Sequence, residues 1–362
     1  MKGEKRVFIT DCEGPLTKND NAFELASVLI PDGGRFFALI SKYDDLQADI
    51  VKRQGYKAGD TLKLILPFLR AYGATNDFIK KYSINHLLLI PGAGDTLSYI
   101  CKMMPCFIVS TSYRQYISAL CEALRFPIEN VFCTELDIDR YELPKEEAEI
   151  LRDMCREILR MPMIEIPEGA RTLNDLNPES LMAVRRLDEI FWDKIYNMRA
   201  GRMLIEVNPI GGVEKAKAVN EIVSKVGTDL SNVMYVGDSI TDVEPLKLVR
   251  EEGGLAVSFN GNHYAVREAD IAIMSHHTII LSIIAEIFNK FGKEVVIRIS
   301  EDWSLDIIAS FCNPSLLNNL KNLHPSMQPV VRRITKENMK SLMQESNVFR
   351  RSVRGEAVGK LG

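Results

Sequence analysis

The chain lacks any run of eighteen apolar residues uninterrupted by a charge or a breaker, so no membrane-spanning helix is expected. Its first residues, M-K-G-E-K-R-V-F-I-T-D, pass from charge directly into a strand-like run, without the apolar segment of a secretion signal. The seven cysteines, Cys12, Cys101, Cys106, Cys121, Cys133, Cys155 and Cys312, include no C-x-x-C pair. An odd count without metal-ligand spacing argues for buried thiols in a reducing compartment, and a cytoplasmic location is the expectation. No histidine cluster offers a competing metal site. The formal net charge of -4 is small for 362 residues and gives no general affinity for nucleic acid or anionic membranes.

What is present is ample burial capacity, with 46% hydrophobic residues in a length that suits one main domain plus a substantial second one. Strand-like runs at residues 6–10, 106–109, 131–132, 233–236, 255–258 and 271–273 are separated by helix-sized intervals, notably 91–100, 115–124 and 215–226. That alternation predicts an α/β fold with parallel crossovers. Two long stretches break the rhythm. Their apolar residues recur at three- and four-residue intervals, which predicts helical insertions beside the sheet or over its active edge. The expected division is a discontinuous core of residues 1–14, 87–133 and 202–294, a first cap insertion at 15–86 and a second helical insertion at 134–201. A C-terminal extension, 295–362, opens with an expected edge strand at 295–299 and ends in a basic tail carrying Arg332, Arg333, Lys336, Lys340, Arg350, Arg351 and Arg354. The tail reads as a solvated helix or flexible end, or else as a contact for a protein partner or an anionic ligand. It lacks the aromatic platforms and zinc ligands of a nucleic-acid module.

Two acidic pairs follow strand-like runs: Asp11 and Glu13 in D-C-E-G-P, and Asp238 and Asp242 in V-G-D-S-I-T-D. The carboxyl ends of parallel strands form the crevice where open α/β sheets bind ligands, so both pairs are expected at one site. Asp11 is the expected nucleophile, because a carboxylate can attack phosphorus and divide hydrolysis into two steps. Glu13 is the expected acid and base for the leaving oxygen and for water. Asp11 and Asp238, with the backbone carbonyl of Glu13, suit a hard divalent ion, magnesium or in substitution manganese, and Asp242 would act through a metal water. Ser110 is the expected phosphate contact, with Thr111 and Ser112 as alternatives, and Lys215 or Lys217 would neutralise the transferring group. Lys215 is favoured because it stands at the helix entrance.

This ordered set resembles the haloacid dehalogenase-like hydrolases: D-C-E-G from Asp11, F-I-V-S ending at Ser110, the lysine at Lys215 and G-D-S-I-T-D from Gly237. The resemblance spans residues 6–26, 88–131 and 213–274, and K-A-K-A-V-N-E-I-V with V-M-Y-V-G-D is similar to the phosphoserine phosphatase-like branch. It implies a Rossmann-like parallel-sheet hydrolase core with two largely helical cap insertions, an aspartyl-phosphate intermediate and a small-molecule phosphomonoester substrate. Glu13 departs from the aspartate of many family phosphatases, and S-T-S after the second strand has no glycine pair. A phosphomutase or phosphotransferase, and a regulatory or complex-associated protein on the same core, are the alternative readings. The chain also resembles an archaeal branch labelled as an energy-converting hydrogenase subunit. It offers no nickel or iron-sulfur ligand pattern, so that label would imply a partner rather than electron transfer.

Overall fold

A computed structural model describes residues 5–167, 169–324 and 328–361. Residues 1–4, 168, 325–327 and 362, which fall in the expected core, second insertion and C-terminal extension, lie outside the described residues. Among the described residues, seven strands form one sheet: β1 (Val7–Thr10), β2 (Cys106–Tyr113), β3 (Val131–Thr134), β4 (Val233–Gly237), β5 (Leu255–Phe259), β6 (Ile271–Met274) and β7 (Val330–Arg333). Their spatial order is β3-β2-β1-β4-β5-β6-β7. All pairs are parallel except β6 with β7.

The central strand shows why the sheet forms here. Every residue of V-F-I-T in β1 is buried, which fits a parallel strand covered on both faces. Phe8 and Ile108 join the apolar layer on one side, and Ile9, Val109 and Tyr235 the layer on the other. The chain runs outward from β1 through β2 to β3, then returns to the far side of β1 with β4. That reversal makes the β1/β4 boundary a topological switch point, where open sheets part to admit ligands.

The expected edge strand at 295–299 is instead part of a helix, Lys293–Glu301, and β7 supplies the edge. Val296, Ile299 and Ser300 are its buried residues. That spacing of three and four is the helical period, which overrode the β-branched composition. Strand β2 also runs further than its apolar run, through the S-T-S segment to Tyr113, with a register irregularity between Val109 and Tyr113. The hydroxyls there are satisfied locally, Ser110 with Ser112 and Thr111 with the Ile210 carbonyl.

The helices of the two interruptions pack on each other. Helices Gly33–Asp45 and Thr61–Ala71 contribute Phe36, Tyr43 and Phe68 to a large apolar cluster, and Lys145–Leu159 and Pro178–Asp188 contribute Leu151, Val184 and Leu187 to the same cluster. Phe191 stacks on Tyr43 at 5.8 Å between ring centroids and meets Phe68 edge-on at 6.2 Å. One shared core therefore rigidifies both interruptions above the sheet. Among the described residues, no helix is long and apolar enough to cross a membrane.

Candidate active site

Adjacent parallel strands bring the two acidic pairs together. The Asp11 amide continues the ladder by donating to the carbonyl of Val236, 2.9 Å away, so Asp11 and Asp238 leave the sheet side by side. Gly14 then turns the chain with φ +101°, and a Cβ on it would lie only 2.0 Å from Asp238 Oδ2. A side chain there is excluded on both counts. The turn also returns Glu13 toward the site, where its Oε1 accepts from the Asn21 amide at 2.8 Å.

Lys215 lies on the helix Val213–Val226 and is fully buried. Its Nζ is 2.8 Å from Asp11 Oδ2 and 2.8 Å from Asp242 Oδ1. Burial alone would lower the ammonium's pKa, but the Asp11 and Asp242 carboxylates outweigh it and hold the group above its ordinary value. Lys217 instead points to solvent and pairs with Glu214 at 2.7 Å. The geometry therefore separates two lysines that the sequence left open.

Asp242 has a busy carboxylate. Oδ1 accepts from Lys215 and, at 2.7 Å, from the Tyr235 hydroxyl, while Oδ2 accepts from the amides of Asp238 at 2.9 Å and Ser239 at 3.1 Å. Four donors use the lone-pair capacity of a carboxylate, so Asp242 holds the lysine and the loop in place. Asp11 is less committed, with Oδ1 accepting from the Cys12 amide at 2.6 Å and Oδ2 from Lys215. Burial pushes its carboxyl up to about 7; Lys215 opposes that rise, and the charges of Asp242 and Asp238 add to it. Burial, and after it the charge of Asp20, raises Glu13 well above the usual carboxylate range.

Asp11, Glu13 and Asp238 border a cavity of about 90 Å³. Asp11, Glu13, Ser110 and Asp238 line it from the sheet. Ser110 is buried, and its hydroxyl meets Ser112, at 3.2 Å from both Oγ and the amide. Thr111 also borders the cavity, but its hydroxyl donates to the carbonyl of Ile210 at 3.0 Å, away from an incoming ligand. Phe37, Ser41, Asp44, Thr61 and Leu62 form the roof, all from the first interruption, and no described residue between 134 and 201 lines the cavity.

Three residues of the site, Arg350, Arg354 and Tyr235, were missed as such in the sequence. Arg350 and Arg354, on the helix Met339–Arg354, reach into the cavity wall and pair with Asp238 Oδ2. The tail is thus no solvated end at these positions: the Arg350 side chain is 2% exposed and that of Arg354 4%. The available signal was their spacing of four, which puts both on one helix face. Tyr235 was hidden for another reason, because within an apolar strand it reads as core filler.

A family model described as haloacid dehalogenase-like hydrolase matches residues 173–280, the span that carries Lys215, Asp238 and Asp242. Among solved structures, gene product AF1437 from Archaeoglobus fulgidus is 27% identical, with 99% of each chain covered and a TM-score of 0.81. A phosphoserine phosphatase in apo form is 12% identical, with 77% of this chain and 98% of that chain covered and a TM-score of 0.45. The had family hydrolase t0658 from Salmonella enterica subsp. enterica serovar Typhi is 10% identical, with 78% of this chain and 72% of that one covered and a TM-score of 0.44. No curated protein matches this chain. None of these comparisons carries the hydrogenase label, and the likeness to the phosphoserine phosphatase is too distant to indicate a substrate. The matched segment is similar to haloacid dehalogenase-like hydrolases, and the mostly parallel sheet that carries it, with its flanking helices and helical insertions, is consistent with the hydrolase core of that superfamily.

Proposed function

We propose that the protein is a magnesium-dependent phosphatase that hydrolyses a small phosphomonoester through an aspartyl phosphate on Asp11. The observation that carries this reading is the buried Lys215 ammonium held 2.8 Å from both Asp11 and Asp242, beside a cavity bordered by Ser110. A lysine fixed there can offset charge on the nucleophile and on the group it attacks. The residues also fit a divalent ion. Carboxylate oxygens of Asp11, Asp238 and Asp242 lie within 4.8 Å of one another, all buried, and such a set of hard oxygens suits magnesium, or manganese in its place. With Asp242 already taken by four donors, the direct protein ligands would be Asp11, Asp238 and the Glu13 carbonyl. When bound, the ion supplies positive charge to the phosphoryl oxygens.

In this reading the Asp11 carboxylate forms a bond to phosphorus as the bond to the leaving oxygen breaks, and Glu13 gives that oxygen its proton. The burial that raises Glu13 favours its protonated form, which suits a proton donor. Glu13 then takes a proton from water as the water oxygen attacks phosphorus, which releases inorganic phosphate and restores Asp11. Ser110 would donate its hydroxyl to a phosphoryl oxygen, and the roof over the cavity would meet the leaving alcohol.

The test is a panel of small phosphomonoesters with magnesium. The protein should release inorganic phosphate from at least one of them, and folded Asp11→Asn should release none. Equal release by that folded variant would overturn the assignment of the nucleophile. Phosphate recovered on an added alcohol instead of free in solution would show transfer in place of hydrolysis.

A further inference from the structure

We propose that Arg350 and Arg354 compete with the divalent ion for Asp238, so that the helix Met339–Arg354 is a latch released by ion binding; this rests on the metal site proposed above. Both guanidinium groups use the same carboxylate oxygen. Arg350 Nη1 contacts Asp238 Oδ2 and lies 3.2 Å from the Asp238 carbonyl, and Arg354 Nη1 is 3.1 Å from Oδ2. An oxygen that already accepts from two cations has neither the free lone pair nor the local negative potential that a divalent ion needs. Of the other oxygens in the cluster, those of Asp242 are saturated and Asp11 Oδ2 is shared with Lys215, so Asp238 is the carboxylate where the arginines and an ion meet.

The same helix end also grips the chain where it enters the roof. Arg354 Nε donates to the Lys18 carbonyl at 3.2 Å, and Arg354 Nη2 to the Asn19 carbonyl. These residues precede the helix Asn21–Leu29. Arg354 therefore joins three parts: the acidic loop after β4, the entrance to the first interruption and the C-terminal helix. Further back, the helix has separate anchors. Leu342 is buried against Val266, Ala272 and Met274, and the Ser346 hydroxyl donates to the Gly261 carbonyl at 2.5 Å. When Asp238 turns to an ion, two buried guanidinium groups lose their shared carboxylate and gain a positive neighbour. Leaving them in place is costly, so the last turns should loosen while the anchored first half stays.

The readout is ion binding and backbone protection, not turnover. Manganese affinity is measured by the electron paramagnetic resonance of free ion in the wild type, Arg350→Gln, Arg354→Gln and Asp11→Asn. Amide hydrogen exchange across residues 339–354 of the wild type is followed with and without manganese. Losing one charge-assisted competitor should tighten manganese binding roughly tenfold in either arginine variant. In the wild type, manganese should speed exchange at residues 347–354 more than at 339–346. Folded arginine variants that bind no more tightly than the wild type would overturn the competition, as would unchanged exchange in the ion-loaded wild type. If Arg350→Gln does not fold, Arg354→Gln and the wild-type exchange decide the matter. Failure of the underlying metal site looks different: the wild type binds no manganese, or Asp11→Asn binds it as well as the wild type, and then both proposals fall.

Discussion

Two lysines two residues apart on one helix have opposite surroundings, and their replacement should have opposite consequences. Lys215→Ala removes the cation shared by Asp11 and Asp242 and should lower kcat/KM by roughly 10²-fold or more. Lys217→Ala removes only a solvent-exposed partner of Glu214 and should stay within about twofold, since exposed pairs contribute little. Steady-state kinetics on the folded variants separates the two; comparable losses would refute the assignment. Sequence favoured Lys215 only by its place at the helix entrance. The structure adds the direction of each side chain, which depends on how the helix is rotated against the sheet. Asp44 allows a prediction about pH. It is buried, its Oδ2 accepts from the Gly59 amide at 2.9 Å and the Thr61 hydroxyl at 2.8 Å, and burial, with the charge of Asp60 next, raises its carboxyl from 3.8 to about 7. Between those values the folded state keeps a proton that the unfolded chain releases. Its contribution to stability is therefore full below about 3.8 and lost as pH rises through about 7, on the order of 2–4 kcal/mol. Asp44→Asn lacks this loss, so thermal melts at pH 5 and pH 8 should show the wild type falling further than the variant. Parallel pH dependence would contradict the raised carboxyl.

At the scale of elements, what was legible followed from short-range pattern. The strands that position Asp11, Ser110 and Asp238 are buried apolar runs ended by polar residues, and the lysine helix has a clear amphipathic period. The misread elements are those whose pattern is ambiguous or whose role is set by distant contacts. Residues 295–299 are rich in β-branched side chains, yet their burial follows a helix. The basic tail looked solvated because nothing local pairs Arg350 or Arg354; their partner Asp238 is more than a hundred positions away. The turn after β1 is legible only as the G-P of D-C-E-G-P, which does not reveal the approach of a second loop. Its tightness makes a direct prediction. Gly14→Ala must place a Cβ 2.0 Å from Asp238 Oδ2 at a φ of +101°, which an L residue rarely adopts. The turn must move by an ångström or more, so activity should fall roughly 10²-fold. Kinetics should show this with the far-ultraviolet circular dichroism retained, and full activity would mean that the turn tolerates the shift and does not set the site.

Across the whole molecule, the apolar interior is divided. One cluster unites the helices of both interruptions, and others lie against the two faces of the sheet. The site lies where these bodies meet, with its acids on strand ends and its roof on the first interruption. Among the described residues, the second interruption lines no part of the cavity and supports its roof through the core that it shares with the first. Phe191 is the residue to test, because it is fully buried and packs on both Tyr43 and Phe68 of the first interruption. Phe191→Ala should cost about 3–5 kcal/mol of local stability, the usual price of deleting a buried aromatic ring. The two tryptophans give a means to localise that loss. Trp192 belongs to the shared helical core, its Nε1 donating to the Tyr43 hydroxyl at 2.9 Å, whereas Trp303 packs against the cluster on the sheet. In a Trp303→Phe background, urea unfolding followed by Trp192 fluorescence should move to lower denaturant when Phe191→Ala is added. In a Trp192→Phe background the transition seen by Trp303 should move less, because separate cores need not unfold as one unit. Loosening the roof should also raise KM more than it lowers kcat, since the acids and Lys215 are held by the sheet and its own helix. Equal shifts at both tryptophans would show one cooperative body, and with it a roof that cannot open independently of the catalytic core.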